Sequence, residues 1–174
     1  LPAFRDYAEE ALDIARATED GHFVGGVLPI VGWAAMWNLD DTATAHFAEA
    51  VPLLQMPGDE WHLADALMGL GAVAARSGDT ARARECGEEA VTVARRSENP
   101  MSLGHALALL GSAVMFNGDF DEADGFLDEA DRLLTAIGDE AAAAATVYRA
   151  WIRTARGEYE AALHLTDGVM GSAR

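Results

Sequence analysis

The chain has 174 residues, 51% of them apolar and only 7% aromatic, a composition that suits one domain of close-packed helices better than a sheet. Twelve basic residues against 29 acidic ones leave a formal charge of −17, which argues against nucleic acid or an anionic membrane as a partner. Every basic residue is Arg, the lone Cys86 permits no internal disulfide, and no apolar run approaches the roughly 20 residues of a membrane span; together these predict a cytoplasmic protein from a GC-rich bacterial genome.

Taken in order, the elements repeat. Residues 3–20 read as a single helix, and their "EEALDIARATED" (Glu9 to Asp20) returns as "EEAVTVARRSEN" (Glu88 to Asn99). Four helix–turn–helix units follow, at 22–57, 60–99, 100–138 and 139–172, about nine helices in all. One frame runs through Ala11, Ala50, Ala90, Ala130 and Val169, in steps of 39, 40, 40 and 39. A second runs through Gly32, Gly71, Gly111 and Ala150. A third marks the turns, Gly78-Asp79, Gly118-Asp119 and Gly157-Glu158, with glycine closing one helix and an acid opening the next. Asn99-Pro100 reads as an N-cap followed by the first helical residue. In the second helices of the first three units, Ala43, Phe47 and Ala50, then Ala83, Gly87 and Ala90, then Ala123, Leu127 and Ala130 recur at i, i+4, i+7, one apolar helical face.

The acid-rich "NGDFDEADGFLDEADRLL" (Asn117 to Leu134) poses the question of a calcium loop. Counted from Asp119, position 5 is Ala123, position 6 is Asp124 and position 12 is Ala130, whereas an EF-hand loop needs an oxygen ligand, glycine and glutamate there. The stretch therefore reads as an ordinary helix whose acids face solvent. Arg149 and Arg153 stand where the preceding unit has Leu110 and Val114, implying either a rotated packing face or a further repeat that covers it.

The spacings Gly71-Gly78-Ala83-Ala90 and Gly111-Gly118-Ala123-Ala130 resemble the tetratricopeptide repeat (TPR), with long units similar to those of LuxR-type bacterial multidomain transcriptional regulators. A first residue of Leu1 rather than Met makes a piece of a longer protein the expectation. The resemblance implies an all-α, right-handed α-solenoid of antiparallel helix hairpins in a single domain. It also implies a concave binding face built from first helices: Trp33, Met36 and Trp37; Asp65, Met68 and Arg76; His105, Ser112, Met115 and Phe116; and Trp151 beside Val147. Three of the four tryptophans and three of the six methionines fall there. Such side chains suit adaptable contact surfaces, and equally suit a filled core. Arg76 would anchor an anion or pair with Asp65 or a nearby glutamate.

Chemistry has no framework in the sequence. A phosphate loop needs Lys, of which there is none, and the histidines are too scattered for a zinc site. Cys86 stands among Glu85, Glu88 and Glu89, which disfavour its thiolate. The expectation is a non-catalytic scaffold without cofactor or metal. It would bind a protein or peptide segment, a neighbouring domain of the same chain included, with a small-molecule effector sensor or a ligand-free spacer as the alternatives. Uncovered terminal helices would also promote homo-oligomers.

Overall fold

The computed structural model describes residues 2–172, and these form nine α-helices and no strand. They are α1 (Pro2–Ala17), α2 (Gly21–Trp37), α3 (Ala43–Leu53), α4 (Glu60–Ser77), α5 (Thr80–Arg96), α6 (Pro100–Phe116), α7 (Phe120–Ile137), α8 (Ala142–Ala155) and α9 (Tyr159–Ser172). Two compact units divide the chain between Ser97 and Glu98, α1 to α5 in one and α6 to α9 in the other. Among the described residues no helix is long and apolar enough to cross a membrane.

The turns repeat more strictly than the letters do. Inside each hairpin one residue takes the left-handed conformation: Leu39 (φ 58°), Gly78 (82°), Gly118 (91°) and Gly157 (78°). The amide after each donates back into the helix just ended, Asp40 to Ala35 O, Asp79 to Ala74 O, Asp119 to Val114 O and Glu158 to Arg153 O. These bonds satisfy carbonyls that the helix end would otherwise leave unpaired. Between hairpins a second left-handed position recurs at Glu19 (58°), Gly58 (102°), Glu98 (52°) and Gly138 (72°). Glycine is thus replaced by a residue with a side chain at three of the eight sites, which hides those turns from a reading keyed to glycine.

In the first unit α2 lies against α1, α3 and α4. It opens at Asp20, whose carboxylate accepts the amides of His22 and Phe23. The fully buried Phe47 of α3 is clasped by glycines from two helices: a Cβ added at Gly32 or Gly69 would stand 2.6 or 2.2 Å from its ring. Close backbone approach, rather than turn geometry, requires glycine at both places. Arg16 of α1 reaches Glu49 of α3 at 3.0 Å, and the imidazole Nδ1 of His22 lies 2.9 Å from the buried Asp59 Oδ2 at the start of α4.

In the second unit Asn99 caps α6 through the amides of Met101 and Ser102, with Pro100 first in the helix, as the sequence predicts. The side chains of Leu127 and Leu134 on α7 fill the space beside Gly111 and Gly104, and with Leu107, Leu110 and Ile152 they are fully or almost fully buried. The i, i+4, i+7 faces of α3, α5 and α7 are buried as expected.

The seam between α7 and α8 corrects two expectations. The acids of α7 do not simply face solvent. Arg149, whose side chain is 15% exposed, meets Asp124 (3.2 Å), Asp128 (2.8 Å) and Asp131 (3.5 Å). Arg153 pairs with Asp124 and Glu158, and Arg156 pairs with Asp121. The hydroxyl of Thr146 donates to Asp131 Oδ1 (3.0 Å). Arg149 and Arg153 therefore sit on the packing face itself, neither rotated away nor waiting for another repeat. Half-buried charges are tolerated there because the opposite helix supplies carboxylates at matching intervals.

Candidate binding faces

Each unit carries its own share of the anticipated site residues. In the first unit Trp33 is half-buried, edge-on to Phe47 with ring centroids 5.3 Å apart, and its indole Nε1–H donates to Asp65 Oδ1 (3.0 Å). Met36 packs partly buried against the same cluster of Ala35, Ala43 and Phe47. Met68 is buried. Trp33 and Asp65 thus tie α2 to α4, and Met68 lies in the core rather than on an open face. The residue left free for contact is Trp37, 64% exposed, its ring 5.8 Å from Phe4 of α1 and 6.4 Å from Trp33.

Arg76 is exposed but does not pair with Asp65. Its Nη1 donates instead to the carbonyl oxygen of Met36 (2.9 Å), at the negative end of the α2 dipole. The carboxylate of Asp65 is already engaged by the indole of Trp33. Arg76 is consequently a clasp between α4 and α2 with an accessible guanidinium.

In the second unit Ser112 and Met115 are buried, and the Ser112 hydroxyl donates to Leu109 O of its own helix (2.8 Å). These two residues are therefore core and not binding surface; α8 packs against α6. The imidazole Nε2 of His105 lies 3.1 Å from Asp139 Oδ2, so this histidine has a partner, as His22 does. Phe116 (58% exposed) and Trp151 (51%) face solvent with ring centroids 6.3 Å apart, and Phe120 meets Trp151 edge-on at 6.5 Å.

Phe4 and Phe120 belong to these aromatic groups but were not anticipated. Both lie outside the first-helix positions of the repeat, Phe4 on the leading helix and Phe120 on the first residue of α7. An aromatic side chain directly after Gly118-Asp119 was the available signal.

Reactive groups are not gathered at either face. Among the described residues no three His, Cys, Asp or Glu side chains are placed to hold a metal ion. Cys86 is buried, and burial pushes its thiol above the usual range, with Glu89 and Glu85 adding to the effect and Arg82 opposing it. The neighbouring carboxylates are therefore a secondary cause, and a thiol so placed is a poor nucleophile.

No family model matches the chain, and no curated protein matches it in sequence. Solved structures do match in fold. BtubC (BKLC) from P. vanneervenii aligns with a TM-score of 0.77 at 15% identity, over 95% of this chain and 70% of that one. Nearly identical TPR-like repeats of a putative kinesin light chain from Podosopora anserina align with a TM-score of 0.70 at 18% identity, over 96% of this chain and 84% of that one. The apo form of RapI aligns with a TM-score of 0.76 at 11% identity, where this chain spans 47% of that protein. At these identities the likeness establishes the all-helical, TPR-like fold.

Proposed function

We propose that the chain is a non-catalytic module that binds a protein or peptide segment through the exposed aromatic side chains of its first helices. One observation carries the reading: both units hold indole and phenyl rings in solvent, Trp37 beside Phe4 in one and Phe116 beside Trp151 in the other. Large exposed rings supply contact area at little conformational cost, and a soluble surface does not otherwise group them. Rings exposed to this degree favour a macromolecular segment over a small-molecule effector, which needs enclosure on most sides. The 39- to 40-residue unit and the Arg-only basic set support a setting in a bacterial, cytoplasmic signalling or transcriptional regulator of the LuxR type.

Intrinsic tryptophan fluorescence, followed while peptides and metabolites are titrated, tests this. We expect a saturable change with aromatic-bearing peptides that is lost in Trp37→Phe and Trp151→Phe. A response to a metabolite alone would establish an effector sensor. No response, with both indoles resistant to acrylamide, would leave a spacer.

A further inference from the structure

The packing of α8 on the preceding hairpin is a template for what the last hairpin can receive. α7 and α9 correspond at an offset of 39 residues. Phe120 and Tyr159 open the two helices, the amides of Ala123 and Ala162 bond to Asp119 O and Glu158 O, and both alanines are buried. Under that offset Asp121, Asp124 and Asp128 of α7 become Glu160, Leu163 and Asp167 of α9. On α7 these three positions bind Arg156, the C-terminal cap of α8, and Arg153 and Arg149 within it. On α9 the outer two remain acidic and solvent-facing, while the middle one has become Leu163, 63% exposed. Beside it runs an apolar groove of about 450 Å³ between α8 and α9, lined among others by Val147, Trp151, Tyr159 and Leu163. The corresponding positions of α6, Ala108 and Ser112, lie on the helix against which α8 packs.

We infer that the α8–α9 groove docks an amphipathic helix of another protein. That helix carries Arg or Lys at two positions seven residues apart and an apolar side chain four residues after the first. It lies antiparallel to α9, its first cation against Asp167, its second against Glu160 and its apolar residue on Leu163, repeating the register of Arg149, Arg153 and Arg156 with one substitution. Charge complementarity selects the occupant: an acidic rim on a protein of charge −17 attracts a basic helix and opposes a second copy. The sequence holds no other pair of arginines seven apart; Arg149 of α8 and Arg156 at its C-terminal cap are already bound to α7.

The inference rests on the interaction role proposed above and shares Trp151 with that surface; the rim residues Glu160 and Asp167 belong to the groove alone and Trp37 to the other surface alone, so rim reversal and Trp37→Phe let the two tests fail separately. The probe is a fluorescein-labelled peptide of residues 142–156 carrying Arg153→Leu, titrated with the whole chain and read by anisotropy. We expect saturable binding, at least tenfold weaker for the unmodified peptide, whose Arg153 would face Leu163. Reversing the rim with Glu160→Arg and Asp167→Arg should weaken the Arg153→Leu peptide by about tenfold or more. A peptide that also carries Arg149→Glu and Arg156→Glu should recover binding to the reversed protein. Both rim residues are exposed, and circular dichroism verifies that the variant stays helical.

Equal or tighter binding of the unmodified peptide would place it against α7 and overturn the proposal. So would binding indifferent to rim reversal. A dimer in sedimentation that the reversal dissociates would assign the groove to a second copy. Loss of peptide binding when the chain is extended with its own natural sequence would assign it to that extension. Either result overturns a partner protein as the occupant.

Discussion

Phe47 shows what a single side chain requires of its neighbours. Its ring is fully buried, and only the missing Cβ atoms of Gly32 and Gly69 let α2 and α4 approach it from two directions. A methyl group at Gly69 has nowhere to go without moving a ring already held by Trp33. Overpacking of this kind costs about 1–3 kcal/mol, so Gly69→Ala should lower the urea midpoint at unchanged slope. Adding Phe47→Leu, which shortens the obstructing side chain, should return part of that loss in the double variant. Gly32 was legible from its place in the repeat frame. Gly69 was not, because the frame pointed to Gly71 two residues on, and only the position of the Phe47 ring distinguishes them.

At the scale of the element, the helices end by conformation rather than by composition. Gly78, Gly118 and Gly157 close their helices in the left-handed region, and Leu39 does the same with a side chain attached. That conformation costs a non-glycine residue about 1–2 kcal/mol, partly offset in a glycine variant by the greater freedom of the unfolded chain. Leu39 is 77% exposed, so removing its side chain forfeits little packing. Leu39→Gly should therefore stabilise the chain by about 0.5–1 kcal/mol, read as a higher melting temperature. An unchanged or lower midpoint would mean that Leu39 contributes more packing than its exposure implies. The α7–α8 seam makes a related point. Periodicity placed Arg149 and Arg153 correctly on the inward face of α8, but an arginine there signals misfit until the acids of α7 are seen opposite.

For the molecule as a whole, the chain divides at Ser97 and Glu98, and each unit buries a core of its own. In the second unit Leu107, Leu110, Leu127, Leu134 and Ile152 are buried by packing among α6, α7 and α8. Residues 98–174 expressed alone should thus give a helical circular dichroism spectrum and a cooperative thermal transition, since repeat proteins draw stability from each hairpin and its nearest neighbours. A broad, non-cooperative loss of signal would show that this unit depends on the first.

What the sequence determined by itself was the recurring hairpin: small residues at 39- and 40-residue intervals, glycines and acids at turns, and apolar faces at helical spacing all act within a few residues of one another. What only the tertiary structure decided was which side chains of the proposed face remain in solvent. Met68, Ser112 and Met115 share repeat positions with a binding surface but are buried, whereas Trp37, Phe116 and Trp151 stay exposed. Helical periodicity assigns a direction around the axis, but burial depends on how closely the next helix approaches. That distance is set by partners such as Phe47 and the acids of α7, drawn from other helices of the chain.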